Sequence, residues 1–321
     1  MQNVIGIDVS KAKLDVCALF EGKTRKKIVE NSESGFKQLQ SWISKNNIES
    51  PHICMESTGC YSEGVAEFFH NLGFKVSIVN PLRIRAFRKS CLIRQKTDKI
   101  DALLIAEFCR MHNPSFWNPK SSDVKELHEI DNRIESLKIE LNRASNALEK
   151  KLPKFVQKSI KSEINFLNKQ IEKLEQEIQK IIERNAELKQ KFELLTDIKG
   201  VGEKTALAIL TSMPDVSNFK KSGQFTAFVG VTPSHKESGT SVKGKSHISK
   251  IGTQSVRKTL YMSAINVKNY NPHFQKFVQK LQRKGKPPKV IICAVMRKLI
   301  AIFFGMLKNA TKFNPNLAFN S

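Results

Sequence analysis

Four acids in the first third of the chain have the type and setting that divalent-metal chemistry requires. Asp8 lies in Gly6-Ile7-Asp8-Val9-Ser10, Glu56 follows the apolar run Ile53-Cys54-Met55, and Asp98 and Asp101 stand three apart. Asp8 and Glu56 each end, or nearly end, a strand-like run. Asp98 and Asp101 open a helical pattern, where that spacing puts two carboxylates on one side. Carboxylates from two strand ends and one helix face can converge on Mg²⁺, or on Mn²⁺, because hard cations take oxygen ligands. Two such ions roughly 3.5–4 Å apart stabilise the attacking and leaving oxygens of phosphoryl transfer. Singly the acids have plainer roles: Asp8 could shape a turn, and Asp98 could cap its helix. The bases in Arg94-Gln95-Lys96-Thr97-Asp98-Lys99-Ile100-Asp101 could also pair with the acids. Together, acids set in apolar strands carry a desolvation cost that pairing or a metal must offset.

The elements that would position them read as alternating strands and helices over residues 1–120. Val4 to Ile7, Leu14 to Phe20 and Arg25 to Glu30 form three strand-like runs. Phe36, Leu39, Trp42 and Ile43 fall at helical spacing after a Ser34 cap. A strand from His52 to Met55, a helix through Val65 to Leu72 ended by Gly73, a strand from Val76 to Val79 and a helix from Asp98 to Met111 complete the series. That is the order of an α/β RNase H-type fold. From Leu127 the apolar residues step by threes and fours to Leu148, and again from Ile164 to Ile181 after Pro153. Two heptad-spaced helices over 121–192 predict a helical hairpin or a dimerising coiled coil, serving as an oligomerisation or guide-binding arm or as a spacer. Residues 193–321 read as a mainly α-helical domain. Its Ile198-Lys199-Gly200-Val201-Gly202 opens a helix-hairpin-helix-like element, where Lys199, Gly200 and Gly202 could meet a phosphate or simply start a helix.

The charge balance, 54 Lys plus Arg against 30 Asp plus Glu, points to an anionic partner, and nucleic acid is the usual one. No acid follows Glu237, and an acid-free stretch between Glu67 and Asp98 carries Arg83, Arg85, Arg88 and Lys96. A solvated basic surface explains two long one-sign stretches less well than a polyanion does. The longest apolar run near the C-terminus, Leu299 to Leu307, is too short to span a bilayer, and no signal segment opens the chain, so no membrane is expected. Six cysteines without paired metal-ligand spacing fit reduced thiols in a cytoplasmic compartment.

Gly6-Ile7-Asp8-Val9-Ser10-Lys11, Met55-Glu56-Ser57-Thr58-Gly59 and Lys96-Thr97-Asp98-Lys99-Ile100-Asp101-Ala102 together resemble the DEDD transposases of insertion-sequence family one-ten, which include the Piv-type DNA invertases. The likeness covers nearly the whole chain. It implies a RuvC-like domain, a coiled-coil insertion and a C-terminal transposase domain with a serine nucleophile. Ser238 is the matching position, in Glu237-Ser238-Gly239-Thr240-Ser241 ahead of Ile248-Ser249-Lys250-Ile251-Gly252; Ser241 and Ser249 are its nearest competitors. On residue type alone that loop could equally grip phosphate through backbone amides, Lys243, Lys245 and Lys250. The resemblance further implies double-stranded donor and target DNA, a structured non-coding guide RNA, a dimer or tetramer, and action in a prokaryotic cytoplasm at the nucleoid. The competing expectations are a junction-resolving nuclease that shares the acids but uses water, and a DNA-binding remnant without activity.

Overall fold

The computed structural model describes residues 2–92, 97–234, 237–238, 242–243 and 247–319, with backbone alone at Lys99, Glu237, Ser238, Val242 and Lys243. The chain divides into two compact units, Met1–Pro119 and Lys120–Ser321. In the first, β1 (Val4–Val9), β2 (Lys13–Phe20) and β3 (Lys23–Glu30) form an antiparallel meander. After α1 (Glu33–Lys45), β4 (His52–Glu56) pairs parallel to β1, and after α2 (Cys60–Asn71), β5 (Lys75–Val79) pairs parallel to β4. The strand order β3-β2-β1-β4-β5 is that of the RNase H-type sheet, as the sequence leads one to expect.

Strand alternation assigns the two faces of this sheet. Ile5, Ile7 and Val9 join Phe36, Leu39, Val65 and Phe69 in one core, beneath α1 and α2. Val4 joins Cys17, Cys54, Ala102, Ala106 and Cys109 in the other, beneath α4 (Asp98–His112). Two local expectations are corrected. The α1 cap is Ser32, whose hydroxyl accepts from Gly35 N, while Ser34 lies inside the first turn. An extra helix, α3 (Pro81–Ser90), precedes α4; it buries only Ile84 and Phe87, too few to give a visible period.

The second unit begins with a helix pair, α5 (Ser122–Leu148) and α6 (Lys154–Arg184). Their seam buries Leu127, Ile134 and Leu137 against Leu167, Ile171, Ile178 and Ile181. Arg184 bridges to Asp123 and Glu126, and Lys138 to Glu175, which fixes the two helices as antiparallel neighbours. At the base of the pair, α7 (Ala186–Thr196) packs on α6 and α8 (Glu203–Ser212) packs on α5. Next come α9 (Ser222–Val229) and the short strands β6 (Pro233–Ser234), β7 (Glu237–Ser238), β8 (Val242–Lys243) and β9 (His247–Ile248). The helices α10 (Gln254–Tyr270), α11 (Pro272–Arg283), α12 (Pro288–Asn309) and α13 (Pro315–Phe319) follow. Among the described residues α12 is the one helix long and apolar enough to cross a membrane by composition. Its Ile291, Val295, Leu299 and Phe303 lie in this unit's core.

Candidate active site

Gly6 explains how the acids come together. A Cβ there would lie 2.3 Å from Ala102 O and from Ala106 N, so only glycine lets the α4 backbone approach β1 this closely. Gly6, Cys17 and Cys54 are register partners across β2, β1 and β4, and they form the row on which α4 rests. One pleat repeat further along is Asp8, with Asp15 directly opposite it on β2. Glu56 ends β4 two residues beyond Cys54. Directly opposed and alternate residues share a face, so Asp8, Asp15 and Glu56 all project to the α4 side. The helix adds Asp98 and Asp101 from its first turn, where unpaired amides and the helix dipole favour negative charge. Thr97, not Asp98, caps α4, its hydroxyl accepting from Ile100 N, so the capping role for Asp98 is excluded.

The electrostatics register this crowding. Burial pushes the Asp8 carboxyl up to about 6, and the charges of Asp101, Asp98, Glu56 and Asp15 push the same way. The α4 acids are already engaged by cations. Lys13 Nζ lies 2.8 Å from Asp98 Oδ2 and 3.0 Å from Asp15 Oδ2, and Arg88 is hydrogen-bonded to Asp101 Oδ1. Among the described residues, no three His, Cys, Asp or Glu side chains are grouped as an ion would need. Sequence reasoning missed Asp15 and Lys13. The signal was the short turn after Val9, which folds β2 back on β1 and sets Asp15 opposite Asp8.

The other candidates distribute unevenly. On α3, Arg83 stacks on the Phe108 ring at 5.0 Å and Arg88 turns to Asp101, whereas Arg85 is exposed. Lys199 is exposed, but Gly200 has a packing reason to be glycine, since a Cβ would meet Val267 N at 2.9 Å. The α8 end beside Gly202 faces acids, with Lys204 paired to Glu135 and Gln179 bonded to Glu203; those surroundings suit a plain helix start better than a phosphate. Ser238 pairs in register with Val242, so β7 and β8 form a hairpin that Ser238 enters. A second pairing joins β6 to β9, and Arg257 Nη1 donates to Val229 O at 2.8 Å and Gly252 O at 3.0 Å. Lys250 is exposed, its N donating to Gly230 O. Lys96, Lys245 and Ser241 lie outside the described residues.

Two family models match the chain: the DEDD transposase model of IS110 over residues 5–157 and the transposase model of the IS116/IS110/IS902 family over residues 192–279. The pilin gene-inverting protein of Moraxella bovis is 34% identical over 316 residues, 98% of each chain. This chain belongs to the IS110 transposase family. The pilin gene-inverting protein of Moraxella lacunata is equally similar, and the IS1111A transposase of Coxiella burnetii is 22% identical over 74% of this chain and 70% of that one. A Thermus thermophilus RuvC chain bound to a Holliday junction aligns over 36% of this chain and 100% of its own, at 14% identity and a TM-score of 0.27. The IS110 assignment makes the protein a transposase or recombinase, an enzyme that processes DNA. The matched residues fall in both compact units.

Proposed function

We propose that this IS110-family protein is a site-specific recombinase that cuts and rejoins double-stranded DNA with two kinds of active group, a carboxylate set and a serine. The observation that carries the reading is the shared face of Asp8, Glu56, Asp98 and Asp101, with an Asp8 carboxyl pushed up to about 6 by burial and four negative neighbours. An all-oxygen set of four carboxylates would suit Mg²⁺, with Mn²⁺ as its substitute, once the cations paired with Asp98 and Asp101 give way. Bound there, such ions would supply positive charge to the phosphate under attack. Asp8 and Glu56 are carried by the sheet and Asp98 and Asp101 by the first turn of α4, so closing on an ion would take side-chain movement on a backbone already in place.

Ser238 supplies the nucleophile. Its Oγ–P bond forms as one strand P–O bond breaks, and the serine proton passes to the released hydroxyl end. A hydroxyl from a second strand end later attacks the same phosphorus, reforms a phosphodiester and returns the proton to serine. The covalent link conserves bond energy, so strands are exchanged without an external source. Arg85, Lys96, Lys243, Lys245 and Lys250 would hold DNA phosphates. Partner choice by a structured guide RNA suits a chain of net charge +24 without an evident base-reading module. The α5–α6 pair, with exposed Phe155 and Phe166, would serve assembly into a dimer or tetramer.

The test is a supercoiled plasmid carrying the element's junctions, incubated with protein, guide RNA and Mg²⁺, then denatured and probed for protein–DNA adducts. The wild type forms an adduct, Ser238→Ala forms none and does not cut, and Asp8→Asn forms none. Cutting by Ser238→Ala at the wild-type rate would replace this reading with water-driven hydrolysis of the junction-resolving kind.

A further inference from the structure

Both carboxylates that α4 brings to the sheet are met by cations from neighbouring elements. Lys13, on β2, bridges Asp98 at 2.8 Å and Asp15 at 3.0 Å. Asp15 is 4% exposed and lies on the strand position opposite Asp8, so the lysine is anchored to a carboxylate that cannot turn into water. Arg88, on α3, pairs with Asp101, the two side chains being 19% and 15% exposed. An isolated surface ion pair contributes little and is easily exchanged. These two are not isolated, because the acids they hold, Asp98, Asp15 and Asp101, are among those whose charges push the Asp8 carboxyl up. A carboxylate oxygen that accepts a hydrogen bond from an ammonium or guanidinium has committed one lone pair, and the positive charge beside it opposes the approach of a second cation.

We propose that Lys13 and Arg88 are built-in counter-cations of the carboxylate site, and that a divalent ion must displace them from Asp98 and Asp101 in order to bind. The inference rests on the metal reading above and adds a competitor to it. Without an ion the two cations offset repulsion among five acids, Lys13 tying the first turn of α4 to β2 and Arg88 tying it to α3. Their cost is a weakened hold on the ion, and Asp15, which acts through Lys13, is a positioning residue.

The experiment is a Mn²⁺ titration of the full chain without nucleic acid, at low ionic strength, reading free Mn²⁺ by electron paramagnetic resonance. The proteins are the wild type, Asp8→Asn, Lys13→Gln, Arg88→Gln and Arg88→Lys, each first shown to melt cooperatively. Removing one positive charge roughly 6 Å from a divalent ion in water is worth about tenfold in affinity, so Lys13→Gln and Arg88→Gln are each expected to lower the Kd about tenfold. Arg88→Lys keeps the charge and stays near the wild type. Unchanged or weaker binding in the glutamine variants, with Asp8→Asn still losing Mn²⁺, overturns the counter-cation proposal and leaves the metal reading standing. Equal binding by the wild type and Asp8→Asn removes the metal reading itself. Should Arg88→Gln fail to fold, Lys13→Gln decides alone, since its side chain is 44% exposed and its loss leaves no buried gap.

Discussion

Replacing Gly6 with alanine would drive a methyl group into the backbone of α4. The new Cβ would sit 2.3 Å from Ala102 O, 2.3 Å from Ala106 N and 2.9 Å from Ala106 Cα. No side chain can swing aside to relieve this, because all three atoms are main chain. Ordinary contact needs roughly 3.5 Å, so the helix must retreat by about 1 Å. Overpacking of this kind costs about 1–3 kcal/mol, which for a unit of this length lowers its Tm by roughly 5–15 °C. The effect on chemistry should be larger than the effect on folding. A displacement of about 1 Å in Asp98 and Asp101 relative to Asp8 and Glu56 costs on the order of 100-fold in rate. Calorimetry and a plasmid recombination assay measure the two effects separately. Gly64→Ala is the control: its Cβ would meet the Phe36 ring at 3.7 Å, an ordinary contact inside a helix, and should melt at or above the wild type. A Gly6→Ala protein that melts and recombines like the wild type would refute the packing argument and the route by which α4 reaches the strand acids.

Two further outcomes follow from the site and the hairpin. Asp8 holds its proton up to about pH 6 in the folded state against 3.8 as a free group, so its ionisation opposes folding increasingly from pH 4 to 6 and fully above that. Asp8→Asn should therefore flatten the fall of Tm over that window and add about 1 kcal/mol at neutral pH, discounted for partial exposure, while abolishing recombination. A pH profile parallel to the wild type would contradict this. Arg257→Met loses the bonds to Val229 O and Gly252 O, a cost of about 1–3 kcal/mol. Hydrogen exchange at the amides of Ser249, Lys250 and Thr253, which bond to Thr232, Gly230 and Phe228, should speed up, and unchanged protection there would mean that Arg257 does not brace the segment around Gly230 and Gly252.

What the sequence made legible, and what it hid, differ in range. Apolar runs and punctuating residues exposed β1, β4, β5 and α4, because burial on both sheet faces demands continuous hydrophobic strands. They also placed Asp8, Glu56, Asp98 and Asp101 at element ends. The α5–α6 pair was legible for the same reason, its seam being a pattern of spacing. Asp15 and Lys13 were hidden because their roles come from register and from a contact 85 residues distant, which no local window contains. The helix α3 was hidden by its own composition, since four bases among ten residues mask two buried anchors. Gly200 was ambiguous for a third reason: a glycine that admits a phosphate and one that admits Val267 look the same in a sequence.

The order of elements along the chain gives α12 a consequence for synthesis. Its buried face completes the core around α7, α9, α10 and α11, yet all four precede it. While residues 120–287 leave a ribosome, Phe225, Val229, Val256 and Leu260 lack the partner that will cover them. The first unit, contiguous in residues 1–119, can close during elongation. The second must wait for residues 288–309 and then close late, and until that moment its exposed apolar faces are the part of the nascent protein that most needs a chaperone.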